Sequence, residues 1–307
     1  MTSWSRSLDQ AGITAPRLRS DFSEQRRLVA RFARAEYAAV RLLLPAPCVP
    51  DIIAATAFMH HSDNLIDQGS ASERAAAFTA WESRVRAALD GGSADLPVLH
   101  ALLDAITRHP QLRRQVETYL DGAPEEVHWE GFATESDLRR YVDAYSHPAF
   151  MLIACLLAPR ASADSYAAGC RTFIEASQRL DFLADLAEDL RTGRLGIPED
   201  ALTRHGVTLG ALRAGVACEA LGELVRERAA QIRTGLTASY GLVDLVEARN
   251  RPFIRALVTI QELRLRAVEE KGAGLVRGSA GPSVVASLRV LAREHRAARV
   301  FTRAFTS

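Results

Sequence analysis

The segment Gln178-Arg-Leu-Asp-Phe-Leu-Ala-Asp-Leu-Ala-Glu-Asp189 sets Asp181, Asp185 and Asp189 four residues apart among Phe182, Leu183, Leu186 and Leu190. In a helix these acids form one stripe, roughly 12 Å long at ~1.5 Å per residue. Like charges at i,i+4 destabilise an isolated helix by roughly 0.2–0.5 kcal/mol per pair. The usual remedy is an arginine three or four residues away. Those positions hold Ser177, Gln178, Phe182, Glu188, Thr192 and Gly193, and none is basic. A second stretch, Phe58-Met-His-His-Ser-Asp-Asn-Leu-Ile-Asp67, repeats the pattern: Asp63 and Asp67 share a face, Asn64 sits beside them, and only His60 stands at a compensating distance. Two acidic stripes on apolar helices call for a positive partner from elsewhere.

Outward from these stripes the chain reads as helix throughout. Alternating Val/Ile/Thr runs are scarce, while alanine, leucine, arginine and glutamate dominate. Glycine and proline punctuation predicts helices near 21–44, 49–68, 71–90, 96–108, 111–121, 136–158, 162–192, 208–239, 242–271 and 283–303. Pro148 is expected to kink or interrupt the helix around it. Segments such as Ile52-Ile-Ala-Ala-Thr-Ala-Phe-Met59 are apolar on most faces, as a buried helix requires. The expected architecture is a loose polar segment over 1–20 and one all-α domain over 21–307.

Composition removes several chemistries. Of 38 basic residues Lys271 is the only lysine, and Gly272 and Ala273 follow it, so no P-loop is present. A Schiff base would rest on Lys271 alone, among charged neighbours. A net charge of +1 without a basic run gives no support for nucleic-acid binding. Gly272-x-Gly274 has no strand before it, so no nucleotide cofactor is indicated. Cys48, Cys155, Cys170 and Cys218 are far apart and form no Cys-x-x-Cys, which suits free thiols in a reducing cytoplasm. Met1 to Leu18 is polar and unlike a signal peptide, and the apolar run Phe150 to Ala158 is too short to span a bilayer. The expectation is a soluble cytoplasmic protein, with peripheral membrane contact only for an apolar product.

A hard divalent cation would supply the missing charge. Magnesium, or manganese in its place, keeps several waters and bridges one or two carboxylates to substrate phosphates. A diphosphate so held leaves an allylic carbon readily, and an apolar cavity would shield the resulting carbocation from water. The blander readings stand beside this one. A lone Asp-x-x-x-Asp is most often a solvated face, and it is the pair of stripes in one all-α chain that favours function. Adjacent His60 and His61 point about 100° apart and lack a third ligand. Arg191 and Arg194 fit helix C-terminal charges as well as diphosphate ligands.

These residues resemble the squalene/phytoene synthase family, the head-to-head trans-isoprenyl diphosphate synthases, from about residue 22 to residue 272. Arg41-Leu-Leu-Leu-Pro45 looks like the family's opening helix end. Phe58 to Asp67 is similar to its first aspartate-rich motif, and Gln178 to Asp189 to its second, followed by Gly193-Arg194 and Pro198 at the family's loop spacing. Arg255 to Gly272 looks like its late helix. The resemblance implies an isoprenoid synthase fold with a central cavity and magnesium-dependent ionisation of C15 or C20 isoprenyl diphosphates, followed by C–C bond formation. It assigns Asp63, Asp67, Asp185 and Asp189 to the metals, with Asp181 as an added ligand. Asp63 and Asp185 become catalytic together with Tyr141, a cavity tyrosine at the reacting centre. Binding roles pass to His60, Asn64, Gln178, Arg191, Arg194, His147 and Phe150.

The departures are specific. Asp181 replaces a usual asparagine and Ala184 a frequent arginine; His147 and Phe150 stand where glycines are usual. His60 replaces an arginine, Ala35-Glu36-Tyr37 a Lys-Ser-Phe, and Gly196 a loop tyrosine. They keep two alternatives in view: a terpene cyclase or prenyl transfer to a small non-prenyl acceptor, and a helical assembly factor without chemistry.

Overall fold

A computed structural model describes residues 3–67 and 69–304. Its regular elements are helical, apart from an isolated bridge between Pro159 and Val246. The first helices are α1 (Trp4–Gln10), α2 (Pro16–Phe32) and α3 (Arg34–Leu43). Ser3 caps α1, and Pro16 opens α2, where a missing N–H is harmless. The polar N-terminal stretch is therefore not loose. Leu8 and Ile13 are buried, and Trp4 Nε1 donates to Ser23 Oγ at 2.9 Å. The predicted helix 21–44 is split at Ala33, whose φ of −115° and ψ of 61° leave the helical region.

Next come α4 (Val49–Asp67), α5 (Ala71–Gly91), α6 (Pro97–Arg108), α7 (Gln111–Gly122) and α8 (Pro124–Val127). Residue 68, the expected end of α4, lies outside the described residues, as do 1–2 and 305–307. Helix α4 runs through the core with Ile52, Ile53, Ala54, Ala55, Ala57 and Phe58 buried. Phe58 packs against Trp81 and Tyr119 at ring distances of 6.0 and 6.1 Å. Burying such a ring stabilises the fold by about 1.5–3 kcal/mol and anchors the acids that follow one turn later.

The predicted helix 136–158 is three pieces: α9 (Glu135–Tyr141), a π-helical turn over Val142–Ser146, and α10 (His147–Ala154). Pro148 has no N–H for the Ala144 carbonyl, so the i→i−4 ladder fails there. The His147 N–H reaches Val142 O instead, an i→i−5 bond. Such π turns recur at functional sites.

The second half holds α11 (Ala163–Ala184), α12 (Leu186–Thr192), α13 (Glu199–Arg204), α14 (Leu209–Arg213), α15 (Glu219–Ser239), α16 (Arg251–Lys271) and α17 (Val284–Ala304). The predicted helices 162–192 and 208–239 are each broken, the first at Asp185 and the second between α14 and α15. Helix α16 starts at Arg251, nine residues later than expected, after a 3₁₀ stretch over Tyr240–Leu245. Helix α11 packs against α10, α15 and α16. A contiguous apolar core takes side chains from Leu8 to Leu291. No described helix is long and apolar enough to cross a membrane.

Candidate active site

The last turns of α4 leave the core and present Asp63 and Asp67. Two hydroxyls from separate elements donate to Asp63 Oδ1: Tyr119 of α7 at 3.1 Å and Tyr145 of the π turn at 2.7 Å. Burial pushes the Asp63 carboxyl up to about 6 despite both donors, and Asp67 and Glu126 add to the rise. Asp67 is exposed at a helix C-terminus, where a negative charge meets the wrong end of the macrodipole. Its partner is Arg194 Nη1 at 3.6 Å. His60 Nε2 and Asn64 Nδ2 lie 3.1 Å apart, and the His60 ring rests on Phe32. Burial lowers the His60 pKa against the pull of Asp67.

Helix α11 ends at Ala184. Asp185, at φ −100° and ψ 13°, sits in the bridge region that many active-site residues occupy. After α12, Gly193 takes the left-handed conformation (φ 75°) and turns the chain, so that the Arg194 N–H bonds Asp189 O at 3.0 Å. The Arg194 guanidinium lies over Trp129, 4.8 Å from the ring centre, and pairs with Glu126. Arg194 thus joins the two acidic segments. Sequence spacing alone left the second stripe without a positive neighbour; the fold corrects this, because Arg264 of α16 pairs with Asp181 and with Asp185, the latter at 2.9 Å. The compensation runs across helices rather than along one.

The Asp181 side chain is 42% exposed. Desolvation nevertheless pushes its carboxyl up to about 6, even with Arg264 beside it. Asp189 rises further, to about 7, through desolvation and then the charges of Asp185 and Glu188. Its Oδ2 is buried without a hydrogen-bond partner.

The Tyr141 hydroxyl donates to Glu126 Oε2 at 2.5 Å. Tyr141 therefore steadies Glu126, and Glu126 steadies Arg194. Its ring belongs to an aromatic cluster with Trp129, Phe132 and Phe182. Gly196 closes that cluster: a Cβ there would lie 2.1 Å from the Phe182 ring, which accounts for glycine at this loop position.

The fold therefore brings Asp63, Asp67, Asp181, Asp185, Asp189, Arg194 and Tyr141 into one electrostatic network. Four other expected site residues make contacts of their own. Gln178 Oε1 accepts from Ser146 Oγ at 3.0 Å, and Phe150 stacks on Phe173 at 5.4 Å. Arg191 Nε donates to Ala187 O of its own helix at 3.2 Å, the helix-end role. His147 has Asp143 and Arg171 as its charged neighbours, and burial lowers its pKa. Sequence reasoning missed Glu126, Tyr119, Tyr145, Trp129 and Arg264. Arg264 carried a sign, since it shares a helical face with apolar Leu257, Ile260 and Val268.

The donor set is all oxygen, with one orphaned carboxylate atom, and it suits a hard divalent cation. Among the described residues no three His, Cys, Asp or Glu converge closely enough to hold a metal unaided. A cation here would sit between one or two carboxylates and a phosphate-bearing ligand. A cavity of about 550 Å³ opens beside Asp189, walled by Phe132, Leu190, Leu195, Ile197 and Val207. A larger one, about 810 Å³ between α15 and the end of α16, is lined by none of the site acids.

An all-helical bundle in which Arg194 links the ends of two acid-bearing helices has the architecture of an isoprenoid synthase fold. The family model for squalene/phytoene synthase matches residues 30–298, and the chain belongs to that family. It is 28% identical over 248 residues to the bifunctional protein CrtB/UppS of Streptomyces coelicolor, covering 80% of this chain and 43% of that protein. It is 33% identical over 113 residues to the phytoene synthase of Mycobacterium tuberculosis, 37% of each chain. The chain thus spans less than half the length of these relatives. Squalene synthase HpnC from Alicyclobacillus acidocaldarius shares the fold with a TM-score of 0.76 at 24% identity, over 86% of this chain and 98% of that one. A dehydrosqualene synthase solved with a ligand does so with a TM-score of 0.79 at 20% identity, over 94% and 98%.

Proposed function

We propose that the chain is a magnesium-dependent prenyltransferase that ionises allylic C15 or C20 isoprenyl diphosphates and forms a C–C bond with release of diphosphate. The observation that carries this reading is the link Arg194 makes between the two acidic segments, its guanidinium on Asp67 and its N–H on the Asp189 carbonyl, with Arg264 on Asp181 and Asp185 of the second. Asp63 and Asp67 would hold metal from one side and Asp185 and Asp189 from the other, with Asp181 adjoining. Bound magnesium supplies neutralisation of the leaving diphosphate. Arg194 and Arg264 add fixed positive charge that needs no reorganisation as the leaving group departs. Tyr119 and Tyr145 orient Asp63. The ring of half-buried Tyr145 offers a π face to a developing cation.

The test is incubation with farnesyl or geranylgeranyl diphosphate and magnesium. Diphosphate release should require the metal and fall at least about a hundredfold in Asp185→Asn. Folded protein that releases none from either substrate would overturn the proposal.

Phe150, stacked on Phe173 where the family usually has a glycine, favours a second reading: cyclisation, or transfer to a small acceptor. Product mass separates the two, since joining gives C30 or C40 and cyclisation C15 or C20.

A further inference from the structure

Helix α17 packs its inner side on α3 and α16 and buries Val290, Leu291 and Glu294 there. A helix held in this way normally turns polar residues outward. Its first two turns do the opposite: Val284, Val285 and Leu288 are 73%, 55% and 58% exposed. At 3.6 residues per turn, Arg289, Ala292, Arg296 and Arg299 continue the same outward side, and all four are exposed.

The charge on that side is of one sign. Over 284–299 the helix has a single acid, buried Glu294, which pairs with Arg255 and Arg293. Arg289, Arg296 and Arg299 form no ion pair among the described residues, and Arg296 Nε turns back to Ala292 O of its own helix at 3.2 Å. The chain entering α17 has the same character. Arg277 Nε donates to Gly215 O at 3.1 Å, next to exposed Val216. The Ala280 N–H bonds Ala184 O at 3.0 Å, the residue before Asp185. The apolar turn therefore starts four residues from a contact with the second acidic segment.

Apolar side chains bordered by unpaired arginines fit a partner that is anionic at its face and apolar beneath, as a bilayer with anionic lipid is. A two-fold contact with a second copy of the chain would instead set arginine against arginine. We propose that this side of α17 docks on an anionic lipid bilayer, with Val284, Val285 and Leu288 entering the headgroup layer and Arg289, Arg296 and Arg299 meeting the lipid phosphates. The contact is with the surface, since no described helix is long and apolar enough to cross. Docking brings the second acidic segment towards the membrane. That this would let an isoprenyl chain pass between bilayer and site rests on the proposed activity; the docking does not.

Flotation of the whole chain with vesicles, without substrate or magnesium, tests the docking apart from the chemistry. One arm uses phosphatidylcholine alone and the other an equal mixture with phosphatidylglycerol. The protein should float with the anionic vesicles and far less with the neutral ones. Binding should weaken as salt rises from about 0.1 M to about 1 M, where the Debye length shrinks from about 10 Å to about 3 Å. Each arginine near an anionic surface is worth about fivefold in affinity, so R289Q/R296Q should weaken binding about tenfold or more. V285S/L288S should do the same by removing the inserted side chains. All four positions are exposed, so both variants should keep the parent's unfolding midpoint. R114Q, an exposed change on α7, should leave binding intact. Absence of flotation with anionic vesicles, or flotation untouched by both double variants, would overturn the proposal. Self-association abolished by V285S/L288S in protein that ignores vesicles would overturn it in favour of a second copy.

Discussion

Tyr119 and Tyr145 direct their hydroxyls at one oxygen of Asp63 from two different elements. Removing the shorter bond in Tyr145→Phe should lower diphosphate release about tenfold, with a stability loss of about 1 kcal/mol; unchanged turnover would deny Tyr145 a part in orienting Asp63. Arg264→Gln is sharper, because it leaves Asp181 and Asp185 to repel each other. Both carboxylates are about 40% exposed, so solvent keeps the stability cost below about 1 kcal/mol. Diphosphate release should still fall at least about tenfold, measured in the same preparation as the unfolding curve. The acids themselves were legible, since carboxylates in apolar helices demand a reason. Arg264 stood out only as a charge on an apolar helical face; its pairing was not legible, because i±3/4 arithmetic sees only one helix and its partners lie on another. Glu126 sits in the short run Pro124-Glu-Glu-Val127, with no periodicity to single it out.

Between residues and molecule, the decisive elements are the interrupted ones. Helix positions and types followed from composition and punctuation, but the breaks at Ala33 and Asp185 did not, because neither is an intrinsic breaker. Pro148 did announce its interruption, though not that a π turn would carry Tyr145. That turn is seated by Gly122: a Cβ there would lie 1.6 Å from the Ala144 carbonyl oxygen. Gly122→Ala must push α7 and the π turn apart, and these are the two elements that hold Asp63. The expected outcome is destabilisation of about 1–3 kcal/mol by denaturant unfolding. Diphosphate release in the surviving folded fraction should fall as well. Activity that simply tracks the folded fraction would show that the π turn positions nothing.

Across the whole molecule, the all-helical class and its two acidic segments were legible, while the packing of the polar N-terminus was not, since Leu8 and Ile13 are isolated among polar residues. Global stability has an electrostatic tie in Glu135 and Glu175. Burial alone would raise them, but the arginines beside them outweigh it and hold both below the usual value of 4.5. A depressed carboxylate stabilises the fold above its unfolded pKa and loses that contribution as pH falls through its folded one. Acid should therefore destabilise the protein below about pH 4.5. Glu135→Gln should cost about 3 kcal/mol at pH 7, because Arg228 is left buried without its counterion. The curves of variant and parent should converge in acid, as Glu135 takes up its proton in the folded state; a gap constant with pH would exclude this origin.

Arg264 sits on Asp181 and Asp185, and Arg194 between Asp67 and Glu126. A divalent cation arriving alone would have to compete with guanidinium groups already seated on the carboxylates. A cation arriving with diphosphate would offer the displaced arginines a new anion, so that ion pairs would exchange rather than break. The consequence is an order of loading: magnesium alone should scarcely move the unfolding midpoint, and magnesium with diphosphate should raise it clearly. A full shift with magnesium alone would mean that the arginines are bystanders.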